Sequence, residues 1–158
     1  MTNVRFPSEL IRPTIGDIVY FGKQLPDPRA GTWSITIPIE PFSADGEDSR
    51  SWRPGTEGPL VISTAVRLDF IELPAEDLMG LANRAFHFPT NPVDGYIDGS
   101  LYLSASHNPV DVTAIEFGAA TGASITATFA AAFCFQYELA DVLNFDTTLT
   151  TSLRFSRQ

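Results

Sequence analysis

Serine, histidine and aspartate occur close together in one stretch of the chain. Ser104 and Ser106 precede His107, and Asp111 follows it. These residue types supply the nucleophile, base and orienting acid of serine hydrolases. Such triads are normally assembled from distant segments, and the chain has no G-x-S-x-G motif. His107 and Asp111 are therefore catalytic candidates by residue type alone, and the catalytic residues remain unknown from the sequence.

A row of polar and aromatic residues is the second place where chemistry could occur. Asp94 and Asp98 flank a Gly-Tyr-Ile segment, and Asp98 alternates onto the same side as Tyr96 and Tyr102. General acid/base chemistry needs two carboxyls in different environments. Asp98 is thus a further catalytic candidate, and Tyr96 and Tyr102 are candidate binding residues. If they gather with His107 they form a pocket, whereas on the outside of a sheet they face water.

The segment 43–59 has no hydrophobic periodicity and exceeds the usual loop length, which is typical of functional or disordered loops. Trp52 lies there between Arg50 and Arg53. Trp and Arg are enriched at the binding hot spots of protein interfaces. The sequence therefore predicts Arg50, Trp52 and Arg53 as binding residues. The alternative is that Trp52 folds back and closes one end of the β-structure.

Metal and cofactor chemistry has little support in the sequence. Cys134 is the only cysteine, so an intramolecular disulfide is excluded and a cysteine-based zinc site would lack ligands. His87 and His107 are the only histidines, and the acidic residues of 43–59 do not follow the EF-hand spacing. We predict no metal site and no cofactor, and we expect Cys134 to be a small buried apolar residue.

Charge is unevenly distributed along the chain. There are 19 acidic and 10 basic residues, which gives a net charge of −9. Residues 85–153 contain no Lys or Arg, yet they include Asp94, Asp98, Asp111, Glu116, Glu138, Asp141 and Asp146. This balance disfavours nucleic acid as a partner and predicts an acidic face for a basic protein. The alternative is that the charge serves only solubility.

Targeting and membrane segments are not predicted. Residues 1–10 carry Arg5 and Glu9 and have no apolar core of the kind found in secretory signals. Residues 117–137 lack charge, but their apolar residues alternate with polar ones, as in a strand, and do not form a continuous apolar run. We therefore expect a cytoplasmic protein that does not engage a membrane.

Alternating hydrophobicity predicts mostly antiparallel β-structure. The pattern is clearest at 125–139 and 145–155, which we expect to form one long hairpin, and it also occurs at 33–39 and 60–70. The tetrapeptide Asn-Pro-Val-Asp occurs at 91–94 and again at 108–111, and it predicts turns at both ends of one strand in a meander.

One helix is predicted, at 75–85, from Pro74 at its start and the apolar stripe Leu78, Leu81, Ala82 and Ala85. We expect this helix to cover the small residues Ala130, Ala132 and Cys134 on the second face of the long strand. A second copy of the chain is the other possible cover, so a homo-oligomer remains open.

These elements indicate a single domain, 1–158, that is mainly β. About 7–8 strands with one short helix near 75–85 favour an antiparallel β-sandwich, with a closed β-barrel as the alternative. The predicted function is a non-catalytic binding module that engages a protein partner through an acidic face and a Trp/Arg loop. The alternative is a small enzyme or ligand-binding β-barrel with a pocket around Tyr96, Asp98, Tyr102 and His107.

Overall fold

The part of the chain that the structure describes forms eight β-strands joined by turns and short 3-10 helices. The structure is a computed structural model, and it describes residues 3–52, 60–103 and 105–158. The strands are β1 Gly16–Tyr20, β2 Trp33–Ser43, β3 Val61–Ile71, β4 Ala85–His87, β5 Asp98–Leu103, β6 Ser106–Thr121, β7 Ser124–Phe133 and β8 Phe145–Arg157. The 3-10 helices are Ser8–Leu10, Glu47–Ser51 and Phe135–Tyr137. The prediction of a mainly β protein is confirmed.

The sheet closes into a barrel of seven strands. Its hydrogen-bonded order is β6-β5-β3-β2-β1-β8-β7. The last strand of this order, β7, also pairs with the first, β6, and this pairing closes the barrel. The short strand β4 pairs with a later part of β6 than β5 does, and it is not one of the seven strands that close the barrel. The favoured sandwich is therefore not confirmed, and the architecture is the alternative, a closed barrel.

Two features of the strands account for closure. Long β6 pairs with β5 through its first residues and with β7 through the rest, and its ladder with β7 shifts register twice. Bulges of this kind bend a strand and increase its twist. Strand β8 then returns parallel to β1, from Leu153 opposite Gly16 to Arg157 opposite Tyr20. The pairing of β8 with β1 joins residues that are distant in sequence, so the local alternation of the chain did not reveal it.

The barrel interior is filled by side chains. Every second residue of β7 is buried, from Ile125 to Phe133, and Ile35, Ile37 and Ile39 of β2 are buried in the same way. A small barrel whose inward positions carry such residues has a packed core. The inward faces of the strands therefore supply stability, and functional groups must be sought on the outside and at the two ends.

The predicted helix at 75–85 is wrong, because this segment forms turns. Asp77 accepts a hydrogen bond from the Gly80 amide, and Asn83 adopts a positive φ of 58°. Glycine and a left-handed asparagine both oppose helix propagation, and so short a helix has little cooperativity to overcome them. Leu78 and Leu81 are nevertheless buried. We call residues 72–84 the cap segment, because they cover the upper end of the barrel, where β1 finishes and β2 begins.

The described residues contain no helix long and apolar enough to cross a membrane.

The two Asn-Pro-Val-Asp copies have different structures. Residues 91–94 lie in a turn between β4 and β5, whereas 108–111 lie within β6, so the predicted second turn is wrong. Asn108 is buried and donates through Nδ2 to the carbonyls of Leu101 and Ser106. These bonds satisfy the amide inside the barrel. The predicted meander is also incorrect in its pairing, since β4 pairs with β6 and not with β5.

The last hairpin is confirmed, but β7 ends at Phe133, earlier than predicted. The chain then turns through Phe135–Tyr137, which places Phe135 in the core and leaves Tyr137 exposed. Phe135 joins an aromatic cluster that closes the lower end of the barrel, opposite the cap segment. We call it the aromatic plug, and its rings belong to Phe6, Phe42, Trp52, Phe133, Phe135 and Phe145.

Candidate interaction surface

The outer face of β6, β7 and β8 combines small side chains with carboxylates. Asp111 of β6 is the register partner of Ala132 in β7, and Ala132 is the partner of Asp146 in β8. The Cα atoms of the two aspartates are thus about 10 Å apart, two strand spacings across the sheet. Glu116 lies further along β6 on the same exposed side. We call this surface, around Asp111, Glu116 and Asp146, the acidic face.

A shallow groove of about 410 Å³ runs over the acidic face. Its floor is formed by Ala130 and Ala132, and threonines and Asp146 lie along it. Ala130 is exposed and Ala132 is half-buried, so the expected helix over this row is absent. The cover prediction failed because the segment at 75–85 closes the upper end of the barrel instead. The groove therefore exists because small side chains remain open to solvent.

The carboxylates of the acidic face have no ion-pair partners among the described residues. Ion pairs are formed instead by five acidic residues outside 85–153, namely Asp17, Asp27, Glu40, Asp69 and Glu76. Unpaired charges of one sign on a surface without cations produce a negative potential that attracts basic groups. Three of the seven acidic residues of 85–153 therefore lie on this face.

Cys134 and Asp111 meet at one edge of the acidic face. The Sγ atom of Cys134 lies 3.6 Å from Oδ2 of Asp111. Burial, together with the negative charge of Asp111, raises the pKa of the Cys134 thiol to about 11. The thiol therefore stays protonated at neutral pH, and a protonated thiol is a poor nucleophile. Asp111, a catalytic candidate from the sequence, lies beside this thiol and not beside His107.

Tyr102 and His107 contact each other on the outside of the barrel. They are register partners in β5 and β6, and their rings meet edge to face with centroids 5.0 Å apart. Both side chains are exposed. Asp98 is exposed at the start of β5, four residues or about 13 Å from Tyr102 along the strand. Tyr96 is half-buried in the preceding turn. The structure thus pairs two of the four predicted pocket residues and separates them from Asp98.

The predicted Trp/Arg loop is only partly described. Arg50 is exposed in the 3-10 helix Glu47–Ser51, whereas Arg53 lies outside the described residues. Trp52 is 2% exposed, and its ring packs 4.9 Å from that of Phe6 in the aromatic plug. This placement corresponds to the alternative in which Trp52 folds back. Arg50 and Trp52 therefore do not form a joint exposed surface.

One charged cluster was missed by sequence reasoning. The carboxylate of Glu76 accepts a hydrogen bond from the Tyr20 hydroxyl at 3.1 Å, and it pairs with Lys23 at 3.3 Å and with Arg157 at 3.6 Å. The Tyr20 bond and these cations lower the pKa of Glu76 below its usual value. Burial and the bond to Glu76 raise the pKa of Tyr20. Glu76 lies in the segment predicted to be a helix, and its partners come from distant parts of the chain.

Within the part of the chain that the structure describes, no group of three or more His, Cys, Asp or Glu residues could hold a metal ion. Comparison of the chain with models of known protein families, with curated proteins and with solved structures finds no match. The functional argument for this protein therefore rests on the geometry and charge of its own surface.

Proposed function

We propose that this protein is a non-catalytic binding module of the cytoplasm that engages a basic protein partner through the acidic face. The observation that carries the proposal is a solvent-open groove of small residues flanked by carboxylates that have no ion-pair partners among the described residues. Charge complementarity of this kind accelerates association and selects the partner. A single cysteine is consistent with the proposed compartment.

The groove suits the shape of basic side chains. Arg and Lys carry long apolar stems that lie along apolar surface while the charged head reaches a polar group. A stem over Ala130 and Ala132 would place its head within reach of Asp111 or Asp146, which are register partners of Ala132. Hydrogen bonds between Arg and carboxylate are about twice as strong as neutral ones. We therefore expect an arginine-bearing segment to bind there.

A small enzyme or ligand-binding barrel is supported less well. That alternative needs an open interior or a concave site lined by the predicted pocket residues, and the inward side chains of this barrel fill its core. Tyr102 and His107 contact each other but are exposed, and Asp98 lies at the far end of β5. Among the described pockets, none is lined by these residues together, so nothing in their positions supports a catalytic site.

The proposal is tested with a fluorescein-labelled short peptide of alternating Arg and Ala, whose binding is followed by fluorescence anisotropy. The double variant Asp111→Asn/Asp146→Asn is expected to bind it at least about tenfold more weakly, because each substitution removes a charge and preserves shape. The control is Glu9→Gln/Asp45→Asn, which changes the net charge equally at exposed positions outside the acidic face. Binding by the wild-type protein should also weaken as salt rises.

Two results would contradict the proposal. Equal losses in the two double variants would mean that the peptide senses only net charge and not this face. Absence of binding by the wild-type protein at low salt would mean that the groove does not accept basic side chains. Circular dichroism of each variant checks that the barrel is intact.

A further inference from the structure

The upper end of the barrel carries another concave site, and unlike the acidic face it contains cationic side chains. A cleft of about 270 Å³ opens between the ends of β1 and β8 and the cap segment. Its lining includes Tyr20, Lys23, Gln24, Glu76 and Arg157. Lys23 is the only lysine of the chain. The cleft is thus polar, and it is large enough for a group of the size of a phosphate or a small carboxylic acid.

Charge in this cleft is not balanced by side chains. Elsewhere among the described ion pairs, Arg12 and Arg154 each face one carboxylate, and Arg29 faces two. Glu76 alone is shared by two cations, Lys23 and Arg157. Among the side chains that line the cleft, two cations therefore face one carboxylate.

The donors in the cleft are held in place before any ligand arrives. Arg157 stacks over the Tyr20 ring, with its Cζ atom 5.1 Å from the ring centroid, and donates to the main-chain oxygen of Glu76 at 3.3 Å. Tyr20 is 2% exposed and aims its hydroxyl at the Glu76 carboxylate. Donors fixed in this way lose little freedom on binding, which favours affinity. The carboxylate of Glu76 shows that these donors bind a negatively charged oxygen group.

We propose that this cleft is a binding site for a small oxyanion, carboxylate or phosphate, and that Glu76 competes with the ligand for Lys23 and Arg157. The incoming anion would sit between the two cations, and Glu76 would yield one or both of them. This site is separate from the acidic face and does not depend on the function proposed for it.

The test uses nuclear magnetic resonance titrations with sodium phosphate and with sodium acetate, each at constant ionic strength balanced with sodium chloride. The amides of Gly22, Lys23, Gln24 and Gln158 report on the cleft. We expect saturable shifts at these amides. Saturation with phosphate alone would identify a phosphoryl group, saturation with acetate alone a carboxylate, and saturation with both a general oxyanion site. Absence of saturable shifts with either salt would overturn the proposal.

Variants separate this site from general attraction of anions. Lys23→Gln is expected to weaken binding at least about tenfold, because it removes one of the two cations that would face the anion. Arg12→Gln is the matched control, since Arg12 is also exposed and paired with one carboxylate outside the cleft. Glu76→Gln should tighten binding by removing the competing charge. An equal loss in Lys23→Gln and Arg12→Gln, or weaker binding by Glu76→Gln, would overturn the proposal.

Discussion

The two ends of the barrel are closed by different chemistry, and each end contains one tryptophan. At the upper end Trp33 packs near Tyr20 and donates from Nε1 to the carbonyl of Ala75 at 2.9 Å, which anchors the cap segment. At the lower end Trp52 packs among the phenylalanines of the aromatic plug, and its buried Nε1 has no hydrogen-bond partner among the described residues. Polar anchoring closes one end and apolar burial closes the other.

Because of this difference, we expect the two ends of the barrel to respond differently to pH and to salt. Burial of aromatic rings is independent of pH near neutrality and weakly affected by screening. The contacts of Glu76 with Tyr20, Lys23 and Arg157 depend on ionisation and are exposed enough to be screened by salt. We therefore expect the lower end to supply stability, and the upper end to respond to solution conditions and ligands.

The largest effect is expected from Phe135→Ala in the aromatic plug. Phe135 is fully buried and its ring lies within 6.0 Å, centroid to centroid, of those of Phe6, Phe133 and Phe145. Truncation of such a residue removes transfer free energy and leaves a cavity, so the free energy of unfolding should fall by about 3–5 kcal/mol.

The measurement is urea unfolding followed by tryptophan fluorescence. Tyr137→Ala is the matched control, since Tyr137 is two residues away but 82% exposed, and it should change stability by less than about 0.5 kcal/mol. A small effect of Phe135→Ala would show that the plug does not carry the stability of the lower end.

An intermediate effect is expected at the upper end, and it should depend on pH. The folded-state pKa of Glu76 is lowered, so its contribution is present above the unfolded pKa and is lost as pH falls through the folded value. The pKa of Tyr20 is raised, so its contribution is present below the unfolded value near 10 and is lost as pH rises through the folded value. The cap segment should therefore be most stable between these limits.

Thermal unfolding measured across pH checks this expectation. Glu76→Gln should flatten the acid limb of the profile, and high salt should reduce the difference between Glu76→Gln and the wild-type protein. Glu138→Gln is the control, because Glu138 is also an exposed glutamate but lies outside the cluster. An unchanged acid limb in Glu76→Gln would mean that the ionic contacts do not hold the cap segment.

The comparison of the ends also explains how much of the molecule was predictable from sequence. Strand β7 follows period-two alternation from Ile125 to Phe133, which is a local signal, and its inward residues were identified correctly. Closure depends on β8 pairing with β1 across most of the chain, which no local pattern encodes. The sequence therefore indicated the strand faces but left sandwich and barrel unresolved.

Local signals failed where tertiary contacts outweighed them. Leu78 and Leu81 have helical spacing, but two turns bury them equally well over the barrel end, since Gly80 and Asn83 disfavour a helix. Asn108 before a proline is typical of a turn, yet its amide is satisfied inside the barrel by Leu101 and Ser106. The uneven charge of the sequence was enough to predict an acidic face. The Glu76 cluster could not be predicted, because the fold brings its members together from distant parts of the sequence.

The smallest effect on stability is expected from a substitution on the acidic face, at Ala132. A substitution on the inward side of the same strand, at Ala127, provides the comparison. Ala132 of β7 points outward into the open groove, whereas Ala127 of the same strand points inward and is 1% exposed. Ala127→Leu should overpack the core and lower the free energy of unfolding by about 1–3 kcal/mol. Ala132→Leu should change it by less than about 0.5 kcal/mol, since the added atoms enter solvent.

Binding should respond to Ala132→Leu even though stability does not. A leucine there fills the floor of the groove between Asp111 and Asp146, so it should displace the stem of a basic side chain while both carboxylates remain. We expect the Arg-Ala peptide to bind this variant several-fold more weakly, which anisotropy and urea unfolding measure on the same samples. A stability loss equal to that of Ala127→Leu would mean that the outer face is covered, and sizing chromatography would then show whether a second copy covers it. Unchanged peptide affinity would place the basic partner elsewhere on the acidic face, because a partner seated in the groove must contact position 132.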